Sequence, residues 1–305
     1  MLRDALGRSD LDGLLLSGVA NIRYLTGFSG TSALAVVTAR DCLLLTDFRY
    51  ASQVDDEVGA AATVRIETVS LWAGLWGHLN GMAGLDRIGF ESTHLVHRDF
   101  QRLLEQGARW QWRPTTDVVE TLRVSKDVGE VSKIQRAVGI AEQALSATFP
   151  HIRAGLTETE IAGILEHNLR DAGSEAFPFP SIVAGGIRSA LPHARASDRP
   201  LGRGDFVLLD FGAVFQGYCS DITRTFVIGK ATDTQREVYG IVREANRRAS
   251  AALRVGIDCR AADAVARDYI HALGFGDEFG HSLGHGIGLE IHEAPRLAKD
   301  RKSVV

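Results

Sequence analysis

Short apolar runs alternate with helical patterns in the first part of the chain, which is typical of an α/β domain. Strands are predicted at residues 13–17, 33–37 and 42–46. Helices are predicted at residues 69–82 and 97–107. The pattern gathers no catalytic side chains, so we interpret this part as a structural or interface domain.

A change of composition at residues 121–129 marks a domain boundary. This segment is polar and carries Gly129 just before a new helical period. We therefore predict an N-terminal α/β domain at residues 1–123 and a C-terminal domain at residues 124–305. The new period places apolar side chains at Val131, Ile134, Val138, Ala141, Leu145 and Phe149.

An internal repeat organises the C-terminal domain. An Arg, a Gly, an N-cap candidate and a terminal Gly recur at a constant offset of 101 residues. These markers are Arg153, Gly155, Thr157 and Gly173 in the first copy, and Arg254, Gly256, Asp258 and Gly274 in the second. A longer helix is predicted before each copy, at residues 131–149 and 235–253. We interpret the matched markers as a duplication.

A β-rich stretch at residues 206–228 follows the first copy of the repeat. Adding the offset of 101 to residue 206 puts its counterpart near residue 307, beyond Val305. We therefore expect the second half-repeat to lack its last strands, and residues 303–305 to be the first residues of a strand.

Composition narrows the class of protein. The 305 residues are enough for two domains, and 45% hydrophobic with 24% charged residues is ordinary for a soluble globular chain. The net charge of −4 gives no basic footprint for a nucleic-acid partner. No signal peptide and no membrane-spanning run is recognisable, so we expect a cytoplasmic protein without a membrane partner. Three cysteines without metal-finger spacing are expected to be reduced thiols.

Two carboxylates in the β-rich stretch are candidate metal ligands. Asp210 ends the apolar run Val207-Leu-Leu, where a carboxylate is costly unless it is paired or binds a cation. Asp221 follows eleven residues later in the neighbouring β segment. Adjacent strands can direct both side chains to one divalent cation. Two aspartates that terminate strands and cap turns would explain the same residues.

A histidine cluster lies close to the end of the chain. His281, His285 and His292 fall within twelve residues, among Gly280, Gly284, Gly286 and Gly288. Imidazole is a common ligand of divalent metals, and glycines let the backbone turn sharply. Ser282 follows the first histidine where the helical zinc-protease motif requires Glu. The glycine spacing does not fit a dinucleotide fingerprint.

A fourth histidine, His193, precedes the two aspartates. Pro192 favours an extended, well-fixed backbone before it, which suits a side chain held towards a cleft. A plain loop residue would have the same sequence context.

Together these residues resemble the Xaa-Pro dipeptidase (prolidase) and aminopeptidase P family. The C-terminal motifs are LPHA at 191–194, DFG at 210–212, SDITR at 220–224 and GHGIGLEIHEAP at 284–295. YLTGF at 24–28 and DFRY at 47–50 resemble the family's N-terminal domain. The resemblance covers the whole chain. It implies the pita-bread fold, an α+β creatinase/aminopeptidase-like domain of two related halves around a dimetal site.

The resemblance also implies roles for individual residues. Asp210, Asp221 and His285 match metal ligands, and Asp221 is expected to bridge two cations. His193 and His292 match histidines that contact the substrate and stabilise the tetrahedral intermediate, and His281 matches a further active-site histidine. Two Glu ligands of the family, one of them the general base, have no counterpart. Glu290 and Glu293 belong to the His292 motif and are not those ligands.

The implied reaction is hydrolysis of the Xaa-Pro bond in dipeptides or short peptides. Two cations about 3.5–4 Å apart hold the attacking hydroxide. Manganese is the usual family metal, and cobalt or zinc are alternatives. With three of five protein ligands, the 305 residues are expected to bind metal poorly and to be inactive or nearly so.

Other functions on this fold are a metal-free hydrolase resembling creatinase and a non-catalytic binding protein. Methionine aminopeptidase shares the fold, but the N-terminal domain favours the proline-directed branch. The sequence does not separate dipeptidase from aminopeptidase P. The resemblance also implies a homodimer.

Overall fold

The computed structural model describes residues 2–301, 303 and 304. The chain divides into two compact units, Met1–Ser125 and Lys126–Val305. None of the helices in these described ranges is long and apolar enough to cross a membrane.

Unit 1 is a mixed six-stranded sheet covered by helices. Its strands are β1 (Gly13–Leu16), β2 (Ala33–Thr38), β3 (Cys42–Asp47), β4 (Thr63–Glu67), β5 (Arg87–Glu91) and β6 (Gln111–Thr115). Its helices are α1 (Leu2–Arg8), α2 (Val19–Thr26), α3 (Ala51–Glu57), α4 (Leu71–Gly81), α5 (His97–Gln106) and α6 (Glu120–Arg123). The strand order is β4-β3-β2-β1-β5-β6, with β2 antiparallel to both neighbours and the other pairs parallel. The three strands and two helices predicted from the sequence are confirmed.

The central strands of unit 1 are apolar throughout because both faces of the sheet are covered. Leu14 and Leu16 point to one side, where α1, α2 and α3 contribute Leu6, Ile22 and Val54 to the core. Leu15 points to the other side, where α4 and α5 contribute Leu75, Leu79 and Leu103. Alternating side chains of one strand thus serve two cores.

Unit 2 contains long helices and three small sheets. Its helices are α7 (Val128–Thr148), α8 (Glu158–Asp171), α9 (Asp233–Ala252) and α10 (Cys259–Ala272). Its strands are β7 (Ile182–Gly185), β8 (Phe206–Phe211), β9 (Val214–Phe215), β10 (Tyr218–Cys219), β11 (Ile222–Val227), β12 (Gly284–Gly286) and β13 (Glu293–Leu297). The sheets are β11-β8-β7, β10-β9 and β12-β13, all antiparallel.

The internal repeat is confirmed in the helices. Adding 101 to the bounds of α8 gives the bounds of α10. Thr157 and Asp258 both cap their helix by accepting backbone hydrogen bonds. The buried residues Ile161, Leu165 and Leu169 of α8 correspond to Ala262, Ala266 and Ile270 of α10. Each copy therefore presents the same helical face to its core.

The predicted strand start at residues 303–305 is seen only as local pairing. Val304 forms an isolated antiparallel bridge with Asp258, and the Ser303 carbonyl accepts a hydrogen bond from the Cys259 N–H. Val305 lies outside the described residues. The corresponding bridge in the first copy joins Thr157 to Pro200.

Candidate metal centre

The alternation of strand β8 places Asp210 on the side opposite the core. Its neighbours Leu209 and Phe211 are fully buried, while Asp210 is partly exposed. In the antiparallel register Asp210 faces Thr223 of β11, whose hydroxyl lies 3.0 Å from Asp210 Oδ1 and donates to it. Asp221 comes immediately before β11. Asp210 therefore lies on β8, and Asp221 lies directly before the adjacent strand β11.

The surroundings of Asp210 disfavour the ionised form of its carboxyl group. The pKa of Asp210 is raised to about 6, chiefly by burial and in part by the neighbouring Asp221 carboxylate, while the Thr223 hydroxyl and His193 lower it. Like charges in a partly desolvated site disfavour ionisation. A cation between the two carboxylates would remove this repulsion.

His285 faces Asp221 with its Nε2 atom. Its Nδ1 lies 3.0 Å from the Gly286 carbonyl oxygen, which only accepts, so Nδ1 carries the proton. In the neutral imidazole Nε2 is then an acceptor, and it lies 3.5 Å from Asp221 Oδ2. Two acceptors face each other unless the ring is protonated or a cation lies between them. As metal ligands, the carboxylate oxygens of Asp210 and Asp221 and the imidazole nitrogen of His285 suit a borderline divalent metal ion.

The three candidate ligands Asp210, Asp221 and His285 are not as close together as the ligands of a bound ion would be. Among the described residues, the trio whose ligand atoms all lie within 4.8 Å is a different one, Glu91, His94 and Glu120 of unit 1. Asp221 Oδ2 and His285 Nε2 are 3.5 Å apart.

His292 lies beside His285. The two ring centroids are 4.4 Å apart with an interplanar angle of 58°. Burial and the neighbouring His285 hold the pKa of His292 below its usual value. His292 therefore adjoins the Asp221–His285 pair through its contact with the His285 ring.

His193 and His281 have looser surroundings. His193 lies in the exposed loop that follows the 3₁₀ turn at Gly186–Ala190, near enough to lower the pKa of Asp210. The exposed His281 ring contacts Phe279 edge-on at 5.0 Å, and its Nδ1 lies 2.7 Å from the Ser282 carbonyl oxygen.

Glycine at position 286 permits the close approach that shapes the histidine segment. A Cβ there would lie 2.4 Å from the Ala294 carbonyl oxygen of β13. The β12–β13 register shifts between His285 and Gly286. A larger residue would push the two strands apart at the position where His285 leaves the sheet.

Sequence reasoning missed the polar trio of unit 1. Asn21 Nδ2 lies 2.6 Å from both Glu91 Oε1 and Glu120 Oε1, and Arg123 donates to Asn21 Oδ1 at 2.6 Å. The Asn21 amide therefore occupies the place a cation would take. We interpret this trio as a buried hydrogen-bond network. Asn21 and Arg123 are 102 positions apart in the chain, so no local spacing in the sequence indicates this network.

Comparisons with known proteins place both units in one family. Residues 132–305 match metallopeptidase family M24, and residues 1–125 match the creatinase/prolidase N-terminal domain. The Xaa-Pro dipeptidase of Pyrococcus horikoshii is 33% identical over 98% of this chain and 84% of that protein.

Solved structures agree in fold. An Xaa-Pro dipeptidase from Bacillus anthracis has a TM-score of 0.95 at 38% identity, covering 100% of this chain and 85% of the other. An X-Pro aminopeptidase from Thermotoga maritima has a TM-score of 0.91 at 38% identity, with the same coverage. The family match spans more than half of the chain. The protein is therefore a pita-bread metallopeptidase that belongs to family M24, in the group of the Xaa-Pro dipeptidases and aminopeptidases P.

Proposed function

We propose that this protein hydrolyses the Xaa-Pro bond of dipeptides or short peptides with two divalent cations, manganese in the first place. The observation that carries the proposal is the arrangement of acceptors at one point: His285 Nε2 faces Asp221 Oδ2 at 3.5 Å, and the Asp210 pKa is raised beside Asp221. Two carboxylates and an imidazole nitrogen brought close together are a ligand set that divalent cations accept.

Each residue has a distinct task in this proposal. Asp210, Asp221 and His285 would hold the cations, and Asp221 would be a ligand of both. When bound, the cations supply Lewis-acid activation of the attacking water and polarise the scissile carbonyl. His292 and His193 bind the substrate and donate hydrogen bonds to the oxygen that gains charge. His281 is a further active-site histidine in this proposal.

The sequence matches three of the five protein ligands that the family resemblance implies. We propose that the 305 residues by themselves bind metal weakly and turn over slowly. Manganese affinity by calorimetry, measured alongside hydrolysis of an Xaa-Pro dipeptide, tests this directly. Full turnover by the 305-residue chain would contradict it.

The setting of the protein is also a proposal. Among the described residues Cys42, Cys219 and Cys259 form no disulfide, which suits a reducing compartment such as the cytoplasm. We propose a homodimer in line with the family resemblance, which analytical ultracentrifugation tests.

Replacing one ligand tests the metal centre. We expect Asp221→Asn to weaken manganese binding by at least tenfold and to abolish any Xaa-Pro hydrolysis, because it removes a carboxylate that would be a ligand of both cations. Asp277→Asn removes an exposed carboxylate of the same unit and is the matched control. Equal manganese affinity in the wild type, Asp221→Asn and Asp277→Asn would refute the assignment.

A further inference from the structure

Helix α7 contributes no candidate ligand or substrate residue, yet its first turn holds the segment that carries Asp221. The helix begins with a capping box between Asp127 and Glu130. Tyr218, which is buried, donates its hydroxyl to Glu130 Oε1 at 3.0 Å. Further along the helix, the Ala137 carbonyl accepts from Ser220 Oγ at 3.2 Å. The approach to Asp221 is thus fixed on both sides of Cys219.

The residue just before this helix reaches the histidine segment. Lys126 Nζ donates to Glu293 Oε2 at 2.8 Å, although the two residues are 167 positions apart. The side chains are 12% and 6% exposed, so the ion pair is largely desolvated. A charge buried in this way is costly if its partner is removed.

Glu293 fills the inside of the turn that presents His292. Its Oε1 accepts from the Glu290 N–H at 3.1 Å. A Cβ at Gly288 would lie 2.5 Å from Glu293 Oε2, so the carboxylate packs directly on the backbone there. The shape of residues 288–293 therefore depends on where this carboxylate is held.

The two segments are also joined to each other. The Cys219 N–H donates to the Gly288 carbonyl at 2.8 Å. One end of this connection leads to Asp221 and the other to His292, whose ring lies beside that of His285. A movement of the Glu293 turn would therefore alter the separation between Asp221 and the two histidines.

We infer that Lys126 and Glu293 form a positioning pair that sets the geometry of the Asp221–His285–His292 group. The inference rests on the proposed function, which it deepens by assigning the residues that hold the ligands in place. Neither side chain touches the cations or the substrate in this role. The pair acts through the turn at residues 288–293.

Three variants test the pair. Lys126→Met removes the charge at similar length, Lys126→Arg keeps it, and Glu293→Gln keeps the shape of the partner without its charge. Ile161→Val, in the fully buried core of α8, is the control for a general loss of stability. Far-UV circular dichroism first establishes that each variant is folded, and Glu293→Gln replaces Lys126→Met if the latter is not.

The first measurement is made on metal-free protein. Imidazole ¹⁵N resonances of His285 and His292 are expected to shift in Lys126→Met and Glu293→Gln, while those of the exposed His151 and His167 stay in place. Lys126→Arg is expected to restore the wild-type resonances, and Ile161→Val to leave them unchanged. This readout tests the pair even if the proposed metal function fails.

The second measurement is manganese affinity by calorimetry. We expect a loss of about tenfold or more in Lys126→Met, as for groups that orient metal ligands, and recovery to within about threefold in Lys126→Arg. Unchanged His285 and His292 resonances in both charge-removing variants would overturn the inference. So would Ile161→Val shifting the same resonances. If the wild type binds no manganese, the proposed function fails and the resonances alone decide on the pair.

Discussion

The charge of Asp210 destabilises the folded metal-free protein, although the same charge would favour a bound cation. Its pKa is raised from 3.8 to about 6, chiefly by burial and in part by Asp221. A carboxyl with a raised folded-state pKa destabilises the protein above that pKa, because the unfolded chain ionises more easily. In the absence of metal this cost is present at neutral pH and disappears as the pH falls below the unfolded value.

We therefore expect Asp210→Asn to stabilise the metal-free protein by about 1–2 kcal/mol at pH 7.5, after allowance for solvent screening. The gain should shrink below pH 6 and vanish near pH 4. Urea unfolding followed by far-UV circular dichroism at several pH values measures it, and the same variant should bind manganese more weakly. A destabilised Asp210→Asn protein at pH 7.5 would show that the Thr223 hydrogen bond outweighs the repulsion.

At the scale of elements, the duplication makes matched experiments available. Gly155 and Gly256 precede the two repeated helices and have φ values of 95° and 84°. A Cβ at either position would meet no atom within 4 Å, so only backbone strain opposes a larger residue. The same turn therefore occurs twice, and each copy requires a residue with positive φ.

Gly155→Ala and Gly256→Ala are each expected to lower the free energy of unfolding by about 1–2 kcal/mol, because alanine disfavours positive φ. Gly163→Ala is the control, since Gly163 lies inside α8 with open space at its Cβ. Helix propensity should make that change stabilising by up to about 1 kcal/mol. Thermal unfolding measures all three, and unequal costs at 155 and 256 would argue against equivalent turns.

The elements also show what the sequence could and could not predict. Strand β8 was recognisable because Val207, Leu209 and Phe211 form one apolar run against the core. The edge strands β4 and β6 were missed because Thr63–Glu67 and Gln111–Thr115 are mostly exposed and carry few apolar residues. An edge strand gains its structure from backbone pairing with a neighbour, which leaves little trace in its own side chains.

The candidate site residues also divide into those with a local sequence signal and those without one. Asp210, Asp221 and His285 stood out because carboxylates in an apolar strand and histidines among glycines are unusual locally. Lys126 and Glu293 did not, because their ion pair spans 167 positions and each residue alone looks like an exposed charge. Contacts of this kind exist only once the chain has folded.

At the scale of the whole molecule, tryptophan spectroscopy reports on unit 1 alone. All four tryptophans of the chain lie in unit 1, at positions 72, 76, 110 and 112. Trp76 is 6.1 Å from Trp110 and 6.2 Å from Trp112 between ring centroids. Coupled rings at such distances give near-ultraviolet circular dichroism that depends on their fixed orientation.

Unit 1 has a complete sheet and cores on both of its faces, so we expect residues 1–125 to fold when expressed alone. The fragment should reproduce the tryptophan near-ultraviolet signal and emission maximum of the intact chain. Leu79 is 1% exposed and belongs to the core against which Trp76 packs. Leu79→Ala leaves a cavity there and should lower the unfolding free energy of the fragment by about 3 kcal/mol. A fragment with the emission of urea-unfolded protein would mean that the sheet needs residues beyond 125 to form.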